Sequence, residues 1–204
     1  MVISTSIVLI IAGTLLLKAT EDISWLGAFF QSVSARTAGF STYAIGDFTN
    51  AGLFVLCVLM FIGASPGSTG GGIKTSTFFV LFQAARSACV KKNVCAFRRS
   101  ISRQNISKAS MITVLSMMVV CVATFLLCVL EPDRTFIQVF FEVVSAFGTV
   151  GLSTGITPGL SVAAKIVIIF VMFIGRLGAF TLLTIWISHP EPKIRYSEEN
   201  IAIG

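Results

Sequence analysis

The chemistry open to this sequence lies in its backbone more than in its titratable side chains. Two short stretches set a threonine two residues before a glycine: Thr37-Ala38-Gly39-Phe40 and Thr149-Val150-Gly151-Leu152. Each follows an apolar segment only half a membrane span long, Trp25 to Ala35 and Thr135 to Phe147. Glycine adopts backbone angles that other residues resist. A half-helix running into Thr-x-Gly can aim carbonyl oxygens at a central axis, where they replace the hydration shell of a potassium ion. For either stretch alone, the alternative is a helical hairpin closed by a tight glycine turn.

A third stretch, Gly63-Ala64-Ser65-Pro66-Gly67-Ser68-Thr69-Gly70-Gly71-Gly72, cannot continue a helix. It resembles two enzyme signatures and satisfies neither. In Gly63-Ala64-Ser65-Pro66-Gly67, Pro66 occupies the position whose N–H would complete an oxyanion hole, and proline has none. In Gly67 to Thr75, Ile73 separates Gly72 from Lys74, which puts the lysine out of register for a phosphate-binding loop. The stretch reads instead as a flexible break in a pore helix. Gly67, Ser68, Thr69, Gly70, Gly71 and Gly72 then form a gate, with hydroxyls and free carbonyls facing the pore; a loop that merely packs is the alternative. Arg176 lies in mid-span between Gly175 and Gly178. A charge at that depth must face water, a partner or the bundle interior. It is either an electrostatic barrier to cations below the turns or a buried structural partner, with Glu142 the candidate acid. The single histidine, His189, has no matching metal ligand, and the five cysteines (Cys57, Cys89, Cys95, Cys121 and Cys128) show no Cys-x-x-Cys pair and read as free thiols. No catalytic set, resident metal or cofactor is expected; the chain does not read as an enzyme.

The elements that hold these residues follow from composition. The 204 residues are 55% hydrophobic and 12% charged, with a net charge of +6 and a mean hydropathy of +0.92. A soluble domain has roughly 45–50% apolar residues with glycine counted; here 17 glycines come in addition. That excludes a soluble domain, a disordered chain and a disulfide scaffold, and leaves an all-α integral membrane protein. Apolar runs occupy Ile3 to Leu17, Ala51 to Ile62, Ile73 to Ala88, Ala109 to Leu130 and Leu160 to Ile187. Seven basic residues and no acid lie between Arg86 and Lys108. Such a loop stays in the cytoplasm and reads as a membrane feature rather than a nucleic-acid patch. Both termini are then cytoplasmic, in a multi-pass protein surrounded by lipid. The acids Glu21, Asp22, Asp47, Glu131 and Asp133 fall outside, and Lys165 snorkels to the outer interface.

The two halves match. Phe29-Phe30-Gln31-Ser32-Val33-Ser34-Ala35 aligns with Phe140-Phe141-Glu142-Val143-Val144-Ser145-Ala146, and after a one-residue slip Thr37 to Ser41 aligns with Thr149 to Ser153. Met60-Phe61-Ile62-Gly63 then aligns with Met172-Phe173-Ile174-Gly175. The expected organisation is a first span–pore helix–span unit over 1–90 with a broken second span, a basic cytoplasmic loop over 91–108, a second unit over 109–188, and a cytoplasmic tail over 189–204. Irregular backbone at membrane depth must line a cavity or be buried in protein, so two matched re-entrant units favour ion conduction over two incidental hairpins.

On these motifs the chain resembles the membrane subunit of the Trk/Ktr/HKT potassium-transporter superfamily. Arg36 to Phe40 and Thr149 to Ser153 resemble its filter motifs, Gly63 to Thr75 its intramembrane gating loop, and Phe173 to Gly178 its last pore helix with a pore-facing arginine at Arg176. The tail from Ile194 to Gly204 resembles the Ktr branch. The resemblance implies potassium uptake through a carbonyl-lined filter in the cell membrane, with sodium coupling left open. It also implies a homodimer of full-length subunits and a cytoplasmic nucleotide-binding regulatory subunit. The family carries four such units, so these two correspond to half of a fourfold pseudosymmetric pore. The other half is expected from an N-terminal portion or a second pore-forming chain; a non-conducting assembly partner is the alternative from another class.

Overall fold

The computed structural model describes residues 2–90, 95–96 and 99–178. Seven helices carry the described chain: α1 (Val2–Thr20), α2 (Trp25–Ser34), α3 (Asn50–Phe61), α4 (Thr75–Val90), α5 (Arg103–Leu130), α6 (Phe136–Gly148) and α7 (Val162–Leu177). Two residue pairs between α4 and α5 form a minimal antiparallel ladder, β1 (Cys95–Ala96) and β2 (Arg99–Ser100). Arg86 and Lys108 of the basic stretch therefore sit on helices; Lys91, Lys92 and Arg98 fall outside the described residues. So does the chain beyond Gly178, including His189 and the tail.

The internal repeat is visible in the caps as well as the helices. Ser24 accepts the Gly27 N–H to start α2, and Thr49 accepts the Gly52 N–H to start α3. In the second half Gln138 accepts the Thr135 N–H at the start of α6, and Ser161 accepts the Ala164 N–H to start α7. Hydroxyls at these positions satisfy backbone donors that a helix start leaves open. Glu21, at the end of α1, accepts the Thr49 N–H at 2.9 Å, and Glu131, at the end of α5, accepts the Ser161 N–H at 2.6 Å. A single 3-10 turn precedes the closing helix in each half, at Ile45–Asp47 and Thr157–Gly159. The series α1, α2, turn, α3 thus recurs as α5, α6, turn, α7. The first copy goes on, through the glycine-rich stretch, to a further helix, α4.

Two described helices, α1 and α5, are long and apolar enough to cross a membrane. At 1.5 Å per residue α2 and α6 reach only about 15 and 20 Å, half of a bilayer core or somewhat more. Large apolar side chains cover the outside as well as the core. Ile7, Ile11 and Leu15 on α1, Met118, Val122 and Phe125 on α5, and Ile169 and Phe170 on α7 are all exposed. The core is the seam where α3 meets α6. Leu56, Met60, Phe141, Val143, Val144 and Phe147 are buried there, and the rings of Phe61 and Phe147 stand 5.9 Å apart. From Phe141 to Gly148 every residue of α6 is buried. That helix is the axle on which the two units meet.

Candidate functional site

Both Thr-x-Gly stretches begin where a half-length helix ends, and both take the same unusual backbone. Thr37 and Thr149 have φ of +72° and +50°, the positive-φ residues other than glycine among those described. A β-branched residue in the left-handed region is strained by its surroundings rather than by preference. Two residues on, Gly39 and Gly151 have φ of +78° and +96°. The helix ends are closed alike: Ala38 N–H donates to Ser34 O, and Val150 N–H donates to Ser145 O, both at 3.0 Å. The two turns face each other. A Cβ built on Gly39 would stand 2.0 Å from the Val150 carbonyl oxygen, and one built on Gly151 would stand 4.0 Å from the Gly39 Cα. Beside them Gly39, Ser41 and Asp47 of one unit and Gly151, Ser153 and Thr154 of the other line a shared cavity of about 450 Å³. Val150 and Leu152 are buried, whereas Ala38 and Phe40 are exposed in this chain.

Each turn is stapled to its helix by a side chain at the same repeat position. Gln31, fully buried, donates from Nε2 to Ser41 Oγ at 2.7 Å. Its counterpart Glu142 accepts from the counterpart serine, Ser153, at 2.7 Å. Glu142 also accepts the Thr154 N–H at 2.8 Å, the Thr154 hydroxyl at 3.1 Å and the Thr157 hydroxyl at 2.7 Å. Four donors converge on one carboxylate that is 5% exposed. This corrects the expected alternative for Arg176: Glu142 is bonded to its own loop. Arg176 is exposed on α7. The first turn has a different brace. Arg36 donates to Ser6 O at 3.3 Å and to Gly63 O at 3.4 Å, tying the turn to α1 and to the end of α3. These braces were missed from the sequence, although the repeat alignment already sets Gln31 opposite Glu142 and Ser41 opposite Ser153.

The glycine-rich stretch lies against both turns. Gly71 N–H donates to Thr149 Oγ1 at 2.8 Å, and Gly72 N–H donates to Phe147 O at 3.2 Å. A Cβ on Gly70 would come 3.0 Å from Thr37 Oγ1, and one on Gly71 2.9 Å from Thr149 Oγ1. Only glycine allows so close an approach. Its base is clamped where α3 stops and α4 starts, by a parallel bridge between Ile62 and Ile73. From the other side α7 closes in at Gly175, whose built Cβ would stand 2.0 Å from Phe147 O. Thus Gly70 to Gly72, Thr37, Thr149 and the stretch leading to Arg176 meet around the end of α6. Lys165 donates to Pro158 O at 3.0 Å.

Outside the helices, Glu131 is held below the ordinary carboxylate range, first by the Ser161 backbone N–H, then by the Ser161 hydroxyl, with smaller help from Arg134 and Lys165. No cluster of three metal-binding side chains occurs among the described residues. Cys57, Cys121 and Cys128 are free thiols.

A chain built from two copies of one helix, half-helix and helix unit, apolar on its outside and polar along its turns, is a helical membrane protein. A family model described as TrkH, cation transport protein, matches residues 2–197, and the chain belongs to that family. It is 44% identical over 187 residues to Ktr system potassium uptake protein B of Vibrio alginolyticus, covering 91% of this chain and 41% of that protein. It is 41% identical over 192 residues to Ktr system potassium uptake protein D of Bacillus subtilis, covering 92% and 42%. With potassium/sodium uptake protein NtpJ of Enterococcus hirae it shares 37% over 199 residues, covering 94% and 44%. The crystal structure of the potassium transporter TrkH from Vibrio parahaemolyticus superposes with a TM-score of 0.70 at 26% identity, over 90% of this chain and 42% of that one. The chain spans about two fifths of the length of these relatives.

Proposed function

We propose that this chain forms half of a potassium-translocating pore in the cell membrane. The observation that carries the reading is the matched backbone of the two turns: a left-handed threonine, then a positive-φ glycine, in both halves and face to face. Alternating the hand of successive residues brings their carbonyls to one side, as a filter that replaces the hydration of a cation requires. In this reading α2 and α6 are re-entrant pore helices, and Thr37 to Phe40 and Thr149 to Leu152 are two quadrants of the filter. Gly67 to Gly72 together with Arg176 form the gate below them, where Arg176 raises the cost of cation passage. The units run over 1–90 and 109–188, with the stretch 91–108, both termini and the tail cytoplasmic.

The remaining quadrants come from an N-terminal portion or a second pore-forming chain. Assembly as a homodimer of full-length subunits, with a cytoplasmic nucleotide-binding regulatory subunit, follows the family resemblance. The Enterococcus relative is named for potassium and sodium, which makes sodium coupling a question for flux measurement. The test is Gly39→Ser and Gly151→Ser in the complete transporter, with rubidium-86 uptake measured against potassium and sodium. Each variant should lose uptake or the preference for potassium over sodium, because a side chain there meets backbone or demands a strained φ. Unchanged uptake and selectivity in both would overturn the filter assignment.

A further inference from the structure

A slot with apolar walls lies in the seam between the two units, on the side of α6 away from the Thr-x-Gly turns. Its volume is about 560 Å³, inside the roughly 300–1,000 Å³ typical of ligand pockets. Phe140 and Val144 of α6 form its back, and Phe82 of α4 and Met117 of α5, both exposed, form its lips. Glu142, Ser145 and Thr149 line a different cavity, on the face of α6 that meets the second turn. On α4 the wall residues Phe78, Leu81, Phe82 and Ala85 fall at i, i+3, i+4 and i+7, one face of a helix. Where the helices are interrupted, Ile62 N–H donates to Val58 O and Ile73 N–H to Phe61 O. The Thr113 hydroxyl donates to Ala109 O at 3.0 Å, which leaves its methyl for the slot. A buried water needs about two to four polar partners, and these walls offer none among the described residues. In the repeat, α3 of one unit packs on α6 of the next. The matching open faces of this chain are on α2 and α7, where Leu26, Phe29, Ile169 and Phe170 are exposed. The remaining quadrants belong against those faces, so the slot is left to the bilayer.

We propose that the slot binds an anionic phospholipid of the cytoplasmic leaflet, with one acyl chain between α4 and α5 against the back of α6 and the headgroup phosphate at Arg86. The inference rests on the membrane placement given above. A lipid tail that leaves the bilayer for the slot gains packing contacts but no hydrophobic driving force, because both surroundings are apolar. Charge at the mouth therefore sets which lipid enters. Arg86 is exposed. It follows Ala85 at the end of the slot and stands one turn beyond Phe82, on the same stripe of α4. On α5, Arg103 is exposed on the face of Cys121, which lines the slot about five turns further on. No acid lies between Arg86 and Lys108, so a phosphate at this mouth meets no like charge from the connecting chain. Basic residues just cytoplasmic of a span attract the acidic lipids of that leaflet, and basic pockets between spans bind their headgroups. The bound chain fills the seam between the two units and rests on Phe140 and Val144.

The experiment is photo-cross-linking of the complete transporter in phosphatidylcholine vesicles doped with phosphatidylglycerol that carries a diazirine in one acyl chain. Mass spectrometry of the digest should place the label on peptides of α4 and α5 that contain Phe82, Met117 or Cys121. The same photoactivatable chain on phosphatidylcholine should label them less. Arg86→Gln, on an exposed residue, should lower labelling by phosphatidylglycerol by about fivefold, the worth of one basic residue near an anionic surface, and leave labelling by phosphatidylcholine unchanged. Ala85→Phe combined with Cys121→Phe narrows the slot without changing charge and should abolish the labelling. Equal labelling by the two lipids overturns the proposal, since the slot then takes any neighbouring lipid, and so does undiminished labelling in Arg86→Gln or in an assembled double variant. Cross-links at these residues to a second copy of the chain in place of lipid also overturn it. If the double variant does not assemble, Arg86→Gln and the comparison of the two lipids decide. Labelling as described in a protein that moves no rubidium would fault the pore reading and leave the lipid site standing.

Discussion

Glu142 offers the sharpest test of how the second turn is held. Its carboxylate is 5% exposed and takes four hydrogen bonds, from Ser153, from the backbone and hydroxyl of Thr154, and from Thr157. Glu142→Ala removes them all. The three hydroxyls can rotate toward other acceptors, but the buried Thr154 N–H cannot, and an unsatisfied buried donor costs about 1–3 kcal/mol. Loss of bonds to a charged acceptor adds a comparable amount, so we expect a total of about 3–5 kcal/mol. Glu142→Gln keeps one carbonyl oxygen for Thr154 and turns its amide toward Thr157, whose hydroxyl can reverse to accept; the expected cost is about 1–2 kcal/mol. Gln31→Ala, at the matched position of the first unit, breaks a single bond to Ser41 and should cost about 1 kcal/mol. The assay is a denaturant titration of the complete transporter in detergent, with potassium-over-sodium preference in proteoliposomes as the second readout. The order Glu142→Ala, then Glu142→Gln, then Gln31→Ala should hold in both. A Glu142→Ala protein within 1 kcal/mol of the parent (roughly the value of one hydrogen bond), with unchanged selectivity, would refute the reasoning.

Three further expectations follow from other contacts. Gly175→Val drives a side chain into the Phe147 carbonyl, where even a Cβ would stand 2.0 Å away. It should cost more than the roughly 1–3 kcal/mol of ordinary overpacking and cut assembly on a size-exclusion profile. Gly67→Ala, where φ is +80° but nothing lies within 4 Å, should cost only the left-handed strain, about 1–2 kcal/mol. Glu131 has its folded pKa lowered by Ser161, so the stability it contributes is present above the unfolded carboxylate value of about 4.3 and is lost as pH falls through the folded one. A melting midpoint followed from pH 6 down to 3 should fall less steeply in Glu131→Gln than in the parent; identical slopes would show that the Ser161 contact is not linked to stability.

Much of this architecture is a short-range matter and was open to the sequence. The apolar runs Ile3 to Leu17 and Ala109 to Leu130 fall in helices of 19 and 28 residues, the half-length segments form helices of 10 and 13, and glycine with proline prevents Gly63 to Gly72 from being helical. The repeat was legible because equivalent turns need equivalent residue types at equivalent spacing: Ser41 and Ser153, Gly39 and Gly151. What lay beyond the sequence were contacts between irregular segments far apart in the chain. The Gly71 N–H and Thr149 hydroxyl are 78 residues apart, and no periodicity links two stretches of backbone that have no period. Glu142 looked like a partner for Arg176 because both are charges at membrane depth. The bent loop after Gly151 supplies four closer donors, and a buried carboxylate is satisfied by whatever donors the fold delivers first. Lys74 looked like a displaced phosphate-loop lysine, yet its ammonium donates to Ser68 and Gly70, which a turn brings back over it. Sequence sets which groups need partners; only the packing of α3, α6 and α7 around one helix end decides which partners they find.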